Sequence, residues 1–378
     1  MTIELEKVRK LCNIPLAYDY PADDLFIEAM QQILQWHDKK NPFFKRLLES
    51  KQFHWSQLTS IQDLEKIPFI LANFFKYHSE KSIAANEVFL HLTSSGTGGQ
   101  KSQMFFDEWS IGSAQKMVDA IFEYYGWVTP DSKVRYLLYS YEPESASKLG
   151  TSYTDNFLCQ YAPSDEVIYA LRNTGNDHAF DVFNVIDFLQ RAEKDQIPVR
   201  IFGFPAFFHF TIERMKKMNI APLKLHPQSL VFLGGGWKGH ADQAIDKFDF
   251  YRSVNEFLGI PDSRLRDGFG SVEHCVPYVE CENHQFHIPI WSHVLIRDFK
   301  TLEVKDYGEK GYLQFISPYI TSMPAVSVLM ADMATKHRGK ECNCGLNTPY
   351  FVLHGRAGTS QAKSCAIKAA DILQKEKL

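Results

Sequence analysis

No stretch of the 378-residue chain gathers positive charge: 41 Lys and Arg are interspersed with 45 Asp and Glu, for a net charge of −4. Without a basic block, nucleic acid is disfavoured as a partner. No apolar run approaches the roughly 20 residues that cross a bilayer, so no membrane span is expected. Met1 to Lys10 carries charges of both signs and no apolar core, which reads against a secretory signal. Internal repeats and low-complexity tracts are absent. Cysteine is sparse and odd in number, seven in all: Cys12, Cys159, Cys275, Cys281, Cys342, Cys344 and Cys365. An odd count in a long chain argues against a disulfide framework. It fits a cytoplasmic protein with free, metal-bound or catalytic thiols.

What the chain does have is apolar mass. Hydrophobic residues make up 45% and aromatics 14%, including 29 Phe, enough for a substantial core and an apolar ligand pocket. The first 90 residues read as mostly helical, with Leu25, Ile27, Met30, Ile33 and Leu34 on one stripe before a break at Lys39–Pro42. A strand, Val88 to Thr93, leads into a polar glycine-rich turn, and a helix is expected over Ser113 to Tyr125. Strands at Val134–Tyr139, Val199–Phe204 and Leu230–Leu233 then alternate with helices at Phe180–Lys194, Phe207–Met218 and Ala241–Leu258. That alternation predicts α/β architecture with parallel strands. After Gly268 the pattern becomes β-rich, with strands at His287–Ile290, Val294–Asp298, Gly311–Ser317 and Val326–Met330. Ser360 to Leu378 has the period of an amphipathic helix.

The sharpest local feature is Thr93-Ser94-Ser95-Gly96-Thr97-Gly98-Gly99-Gln100-Lys101-Ser102. Glycines let backbone N–H groups turn toward phosphate oxygens, hydroxyls add donors, and Lys101 adds positive charge. The Gly-Lys-Ser/Thr ending of a Walker A loop is missing. The plain alternative is a flexible Gly/Ser turn.

This stretch resembles the Ser-Ser-Gly-Thr-Thr-Gly phosphate loop of the adenylate-forming superfamily, and further pieces of that pattern follow in order. Gly234-Gly235-Gly236 resembles the glycine turn that lies along adenosine. Phe269-Gly270-Ser271-Val272-Glu273 resembles the Tyr-Gly-Ser/Thr-Thr-Glu motif, whose aromatic ring packs near adenine and whose Glu holds Mg²⁺. Asp332 matches the carboxylate that binds the ribose hydroxyls, and Gly355-Arg356 the pair that opens a hinge. The resemblance implies ATP with Mg²⁺ as cofactor and attack of a carboxylate on the α-phosphate. Taken without it, Glu273 reads as a surface carboxylate and Asp332 as a turn residue at a strand end.

A second set points to metal: Cys281-Glu-Asn-His284-Gln-Phe-His287, then Cys342-Asn-Cys344-Gly345. Thiolates and imidazole at short spacing suit tetrahedral Zn²⁺ in a closed structural site. A similar arrangement occurs in the phenylacetate-CoA ligase branch of the superfamily. Cys281, Cys342, Cys344 and His287 are taken as the ligands, His284 being the other candidate for the fourth place. The plain alternative is reduced cysteines and scattered histidines.

The last feature is Cys365, close to Lys363 and Lys368. Positive charge favours the thiolate, the form that attacks an acyl-adenylate. A buried cysteine on the apolar stripe of a helix is the competing reading. Taken together, these traits resemble the acyl-protein synthetases, long-chain-fatty-acid protein ligases of the bacterial bioluminescence fatty acid reductase complex. The resemblance implies an α/β adenylate-forming large-domain fold with a β-rich subdomain and a truncated C-terminal region. It divides the chain into an adenylating domain, residues 1–354, and a short tail, 355–378, carrying Cys365. It implies that a myristate-like fatty acid is activated, passed to Cys365 and handed to a reductase subunit, with an acyl-transferase subunit as a further partner. Phe202, Phe204, Phe207 and Phe208 are candidates to line the acyl chain, with core packing as the alternative. An acyl- or aryl-CoA ligase and a non-enzymatic assembly subunit are the rival functions.

Overall fold

The computed structural model describes residues 4–94, 100–143, 157–175, 177–237, 240 and 243–357. The chain divides into two compact units, one of Met1–Tyr124 with Gly270–Leu378 and one of Tyr125–Phe269.

The first unit opens with three helices: α1 (Glu6–Cys12), α2 (Asp23–Lys40) and α3 (Pro42–Ser50). Helix α2 buries Phe26, Ile27, Met30, Ile33, Leu34 and His37. Leu25 was expected inward, but Phe26 takes that place and Leu25 is half-buried. Neighbouring residues on a helix cannot all face the core, and the larger ring removes more apolar area from water. The break at Pro42 is a cap. Asn41 is extended, its side-chain oxygen accepts the Phe44 N–H at 2.9 Å, and Pro42 opens α3.

Beyond Ser50 the expected helical character gives way to short 3-10 turns and a two-residue strand, β1 (Ile70–Leu71). One cause is Asp63, whose carboxylate accepts both the N–H and the hydroxyl of Thr59 and of Ser60. Such local bonds compete with helix propagation. Strands β2 (Leu90–Thr93) and β3 (Gln103–Phe106), which flank the glycine-rich stretch in sequence, pair antiparallel. Helix α4 (Glu108–Tyr124) starts earlier than expected because Asp107 caps it, accepting the Ser110 N–H at 2.7 Å.

The second unit holds β4 (Val134–Tyr141), β5 (Ser164–Asn173), β6 (His178–Phe180), helix α5 (Val182–Asp195), β7 (Val199–Gly203), α6 (Pro205–Lys217), β8 (Leu230–Gly234), α7 (Lys247–Leu258) and β9 (Leu265–Phe269). Its sheet runs β9-β8-β7-β4-β5-β6, parallel except for β6. One face, with Leu137, Ile201, Val231 and Leu265, forms a core with Phe188, Ile212 and Val254 of the helices. The expected α/β alternation is present. Helix α7 is shorter than anticipated, since Asp246 caps it by accepting from the Phe248 and Asp249 N–H groups.

The chain then returns to the first unit with β10 (Tyr278–Val279), β11 (Phe286–His287), β12 (His293–Arg297), β13 (Lys310–Ile316), β14 (Ser327–His337) and β15 (Tyr350–Arg356). The sheet order is β11-β15-β14-β13-β12, with β1 parallel to β14. This is the expected β-rich portion. No helix among the described residues is long and apolar enough to cross a membrane.

Candidate active site and metal centre

The four proposed metal ligands meet. Atoms offered by Cys281, His287, Cys342 and Cys344 all lie within 4.8 Å of one another. Cys281 Sγ is 3.5 Å from Cys342 Sγ, and Cys344 Sγ is 3.2 Å from His287 Nε2. The sulfur pair is far longer than the ~2.05 Å of a disulfide, so the thiols are reduced. Two tight turns deliver them. In one, Cys281 donates its N–H to the Gln285 carbonyl at 3.0 Å, with His284 at φ 56°. In the other, Asn343 and Gly345 have φ of 60° and 92°. Asn283 Nδ2 donates to the Cys342 carbonyl at 2.6 Å and ties the turns together.

Strand pairing brings His287, not His284, beside the three cysteines. His287 on β11 stands opposite Tyr350 on β15, and its Nδ1–H donates to the Thr348 carbonyl at 2.7 Å. That bond leaves the Nε2 lone pair aimed at the thiols. His284 instead directs its ring to Glu280, 3.3 Å away. Burial lowers the His287 pKa, which keeps its imidazole neutral, as a ligand must be. Burial raises the Cys281 and Cys342 pKa values, and each thiol also feels its neighbours. Clustered sulfurs out of water ionise together only when a cation compensates them. The donor set, two buried cysteines, a half-buried one and a buried imidazole, therefore fits a tetrahedral Zn²⁺ site. Gly339 supports the second turn: a Cβ there would collide with the Asn347 and Thr348 carbonyl oxygens.

The candidate nucleotide residues are spread over both units. In the first, Ser94 directly follows β2: its N–H donates to the Ser102 carbonyl at 3.1 Å, and its Oγ accepts the Ser102 N–H at 3.0 Å. Lys101 is exposed. Ser95, Gly96, Thr97, Gly98 and Gly99 lie outside the described residues, as does Cys365. Ser271 opens a turn whose carbonyl accepts the N–H groups of His274 and Cys275, and Ser271 Oγ reaches Met330 Sδ on β14 at 4.0 Å. Glu273, in that turn, is buried rather than at the surface, with 7% exposure. Asp332, on β14, is also buried and sits within a strand, not at a terminal turn. It faces Arg356 on β15, with Arg356 Nε 3.2 Å from Asp332 Oδ1. Gly355 and Arg356 thus belong to a paired strand.

In the second unit, Gly234 ends β8 and is in register with Gly268 of β9, next to Phe269. Gly235 and Gly236 follow with φ of 72° and 66°, values that suit glycine. Gly203, at the same end of β7, was missed by sequence reasoning. Its φ is 114°, and a Cβ would strike the Tyr139 backbone carbonyl. Its position, closing a strand just before Phe204-Pro205 opens α6, was the available signal. Glycines thus line the carboxyl ends of β7, β8 and β9, the edge where open parallel sheets bind ligands. Phe202, Phe204 and Phe208 are fully buried, so they are core; Phe207 is partly buried and packs edge-on to Phe180 and His240.

Comparison with known proteins agrees with this architecture. The profile of the family described as "Acyl-protein synthetase, LuxE" matches residues 10–374. A long-chain-fatty-acid–luciferin-component ligase of Aliivibrio fischeri is 24% identical over 369 residues, covering 93% of this chain and 94% of that protein. The protein of the same name from Vibrio harveyi is 23% identical over 270 residues, covering 71% of this chain and 69% of that protein. Among solved structures, 2-hydroxyisobutyryl-CoA ligase with its acyl adenylate superposes with a TM-score of 0.65 at 14% identity, covering 90% of this chain and 69% of that one. An open form of that ligase gives 0.64 at 15% identity, covering 92% and 82%. At such identity the likeness is one of fold, and the fold is that of the adenylate-forming ligases. The match along almost the whole sequence is what decides the family, and the chain belongs to the LuxE acyl-protein synthetases.

Proposed function

We propose that this chain activates a long-chain fatty acid with ATP and transfers the acyl group to its own Cys365. Two bond exchanges are involved. The fatty carboxylate oxygen attacks the α-phosphorus of ATP and pyrophosphate leaves, giving the acyl-adenylate. The Cys365 thiolate then attacks the acyl carbonyl and AMP leaves, giving a thioester. Both steps depend on positioning and on neutralising phosphate charge.

In this reading the Ser94–Lys101 stretch contacts phosphates, and Gly234, Gly235, Phe269, Gly270 and Ser271 are assigned to the nucleoside. Asp332 accepts from the ribose hydroxyls, and Arg356 holds it in place. Glu273 is the carboxylate for Mg²⁺, whose charge would offset that of the phosphates. The Cys281, His287, Cys342 and Cys344 cluster would hold Zn²⁺ as a structural clip. An acyl-protein reductase subunit, and with it an acyl-transferase subunit, would receive the acyl group for aldehyde formation in a luminescence system, in the cytoplasm.

The single observation that carries the reading is the family match over residues 10–374. Burial of Glu273 supports it, because a carboxylate withdrawn from water needs a compensating partner. Incubation with ATP and myristate, followed by mass spectrometry, tests it. A hydroxylamine-labile acyl adduct on Cys365, lost in Cys365→Ser while pyrophosphate exchange persists, is expected. Free acyl-CoA as the main product when CoA is added would instead make the chain a CoA ligase. Absence of any pyrophosphate release would make it a binding subunit.

A further inference from the structure

A cleft of about 190 Å³ in the first unit has no part in the chemistry above. Leu295, Ile296, Val304 and Tyr307 give it apolar walls, and two lysines border it. Those lysines have opposite surroundings. Lys305 is committed to carboxylates, 3.1 Å from Glu309 and 3.4 Å from Asp298. Lys336, on β14, has no carboxylate within 4.0 Å among the described residues, and its ammonium lies over the Tyr307 ring at 5.3 Å. A volume of this order admits a ligand about the size of benzene.

We propose that Lys336 is an acyl-acceptor amine, capturing a small acyl group from an acyl phosphate that enters this cleft. The amine nitrogen attacks the carbonyl carbon, the carbon–oxygen bond to phosphorus breaks, and phosphate leaves with the electron pair. The nitrogen sheds its proton to water and an amide remains. The step needs a neutral amine. Burial without an acid partner supplies it, lowering the Lys336 pKa to about 8, whereas Lys305 is raised by Glu309. The other titratable and charged groups around the cleft are Asp306, which lines it, Arg338, whose guanidinium lies over the same Tyr307 ring, and buried His293, whose imidazole feels the Lys336 charge. This proposal does not depend on the proposed adenylation chemistry.

The test is site-resolved acetylation of the whole wild-type chain by acetyl phosphate at pH 8, read by peptide mass spectrometry. Lys305, in the same cleft, and exposed Lys45 serve as internal references. Lys336 is expected to acquire label about tenfold faster than either, because its neutral fraction is larger by more than its lower basicity costs. Its rate should level off just above pH 8, while the references keep rising. Lys336→Arg should remove that label alone. Labelling of Lys336 no faster than Lys305 and Lys45 overturns the proposal, and so does a Lys336 rate that rises in step with theirs to high pH.

Discussion

Arg356 reaches across the β14–β15 ladder to Asp332, its register partner, and places Nε 3.2 Å from Oδ1. The carboxylate is the buried member, with 11% side-chain exposure against 78% for the arginine. Exposed guanidinium pairs add little to stability, so the pair matters for where it holds the carboxylate. Asp332→Asn is expected to cut ATP–pyrophosphate exchange about tenfold or more, mainly through the KM for ATP, since a charged acceptor is lost. Arg356→Ala should cost severalfold less and move the melting temperature by no more than about 2 °C. Exchange kinetics of the two variants decide the matter; full activity in Asp332→Asn would remove this residue from the nucleotide site.

The metal cluster makes an analytical prediction. Protein purified without chelator should carry about one zinc per chain by inductively coupled plasma mass spectrometry. Cys342→Ser and His287→Ala should lose it and melt earlier, whereas His284→Ala should retain it, because the His284 ring turns to Glu280. Acid should release the metal as protons compete for the thiolates. Equal zinc content in His287→Ala and the parent would overturn the ligand assignment.

Two glycines should answer substitution in opposite directions. Gly203→Ala pushes a methyl against the Tyr139 carbonyl at a φ of 114°, and a loss of about 2 kcal/mol or more in urea unfolding is expected. Gly112, inside α4, has nothing within 4 Å of its missing Cβ and no positive φ. Gly112→Ala should therefore gain about 0.5–1 kcal/mol from helix propensity.

His37 predicts acid sensitivity. Its Nε2–H donates to the Ile320 carbonyl at 3.0 Å, which leaves Nδ1 to accept the Ser82 hydroxyl at 2.7 Å. Burial lowers its pKa to about 3, against about 6.5 unfolded. The folded state thus refuses a proton that the unfolded state takes. The stability from neutral His37 is complete above pH 6.5 and drains away as pH falls toward 3, by an amount on the order of a few kcal/mol. His37→Gln should flatten the fall of unfolding free energy between pH 6.5 and 4, whatever it costs at neutral pH. An unchanged slope would mean that His37 titrates normally.

Much of this architecture was legible from residue patterns, and the misses have physical causes. Soft ligands at short spacing announce themselves, so the metal set could be named. Spacing left His284 and His287 both open, and a reason to prefer His287 needed β15, a strand unread because Tyr350–Arg356 mixes buried and exposed positions without clean alternation. Strand β5 was missed for a similar reason: Ser164, Asp165 and Glu166 open it with polar residues. Residues 51–89 have helical composition, yet Asp63 spends its carboxylate on local bonds that no periodicity count registers. Burial of Glu273 and Asp332 is a tertiary fact. Their local sequence reads equally well as surface.

Strand β15 is held at both extremities, by Tyr350 opposite His287 and by Arg356 on Asp332. The chain therefore leaves the sheet at Ala357 from a fixed point, pinned by its N–H on the Ala331 carbonyl at 2.9 Å. If Cys365 is the acceptor proposed above, the eight residues that separate it from Ala357 limit its distance from this anchor to about 28 Å, at roughly 3.5 Å per residue.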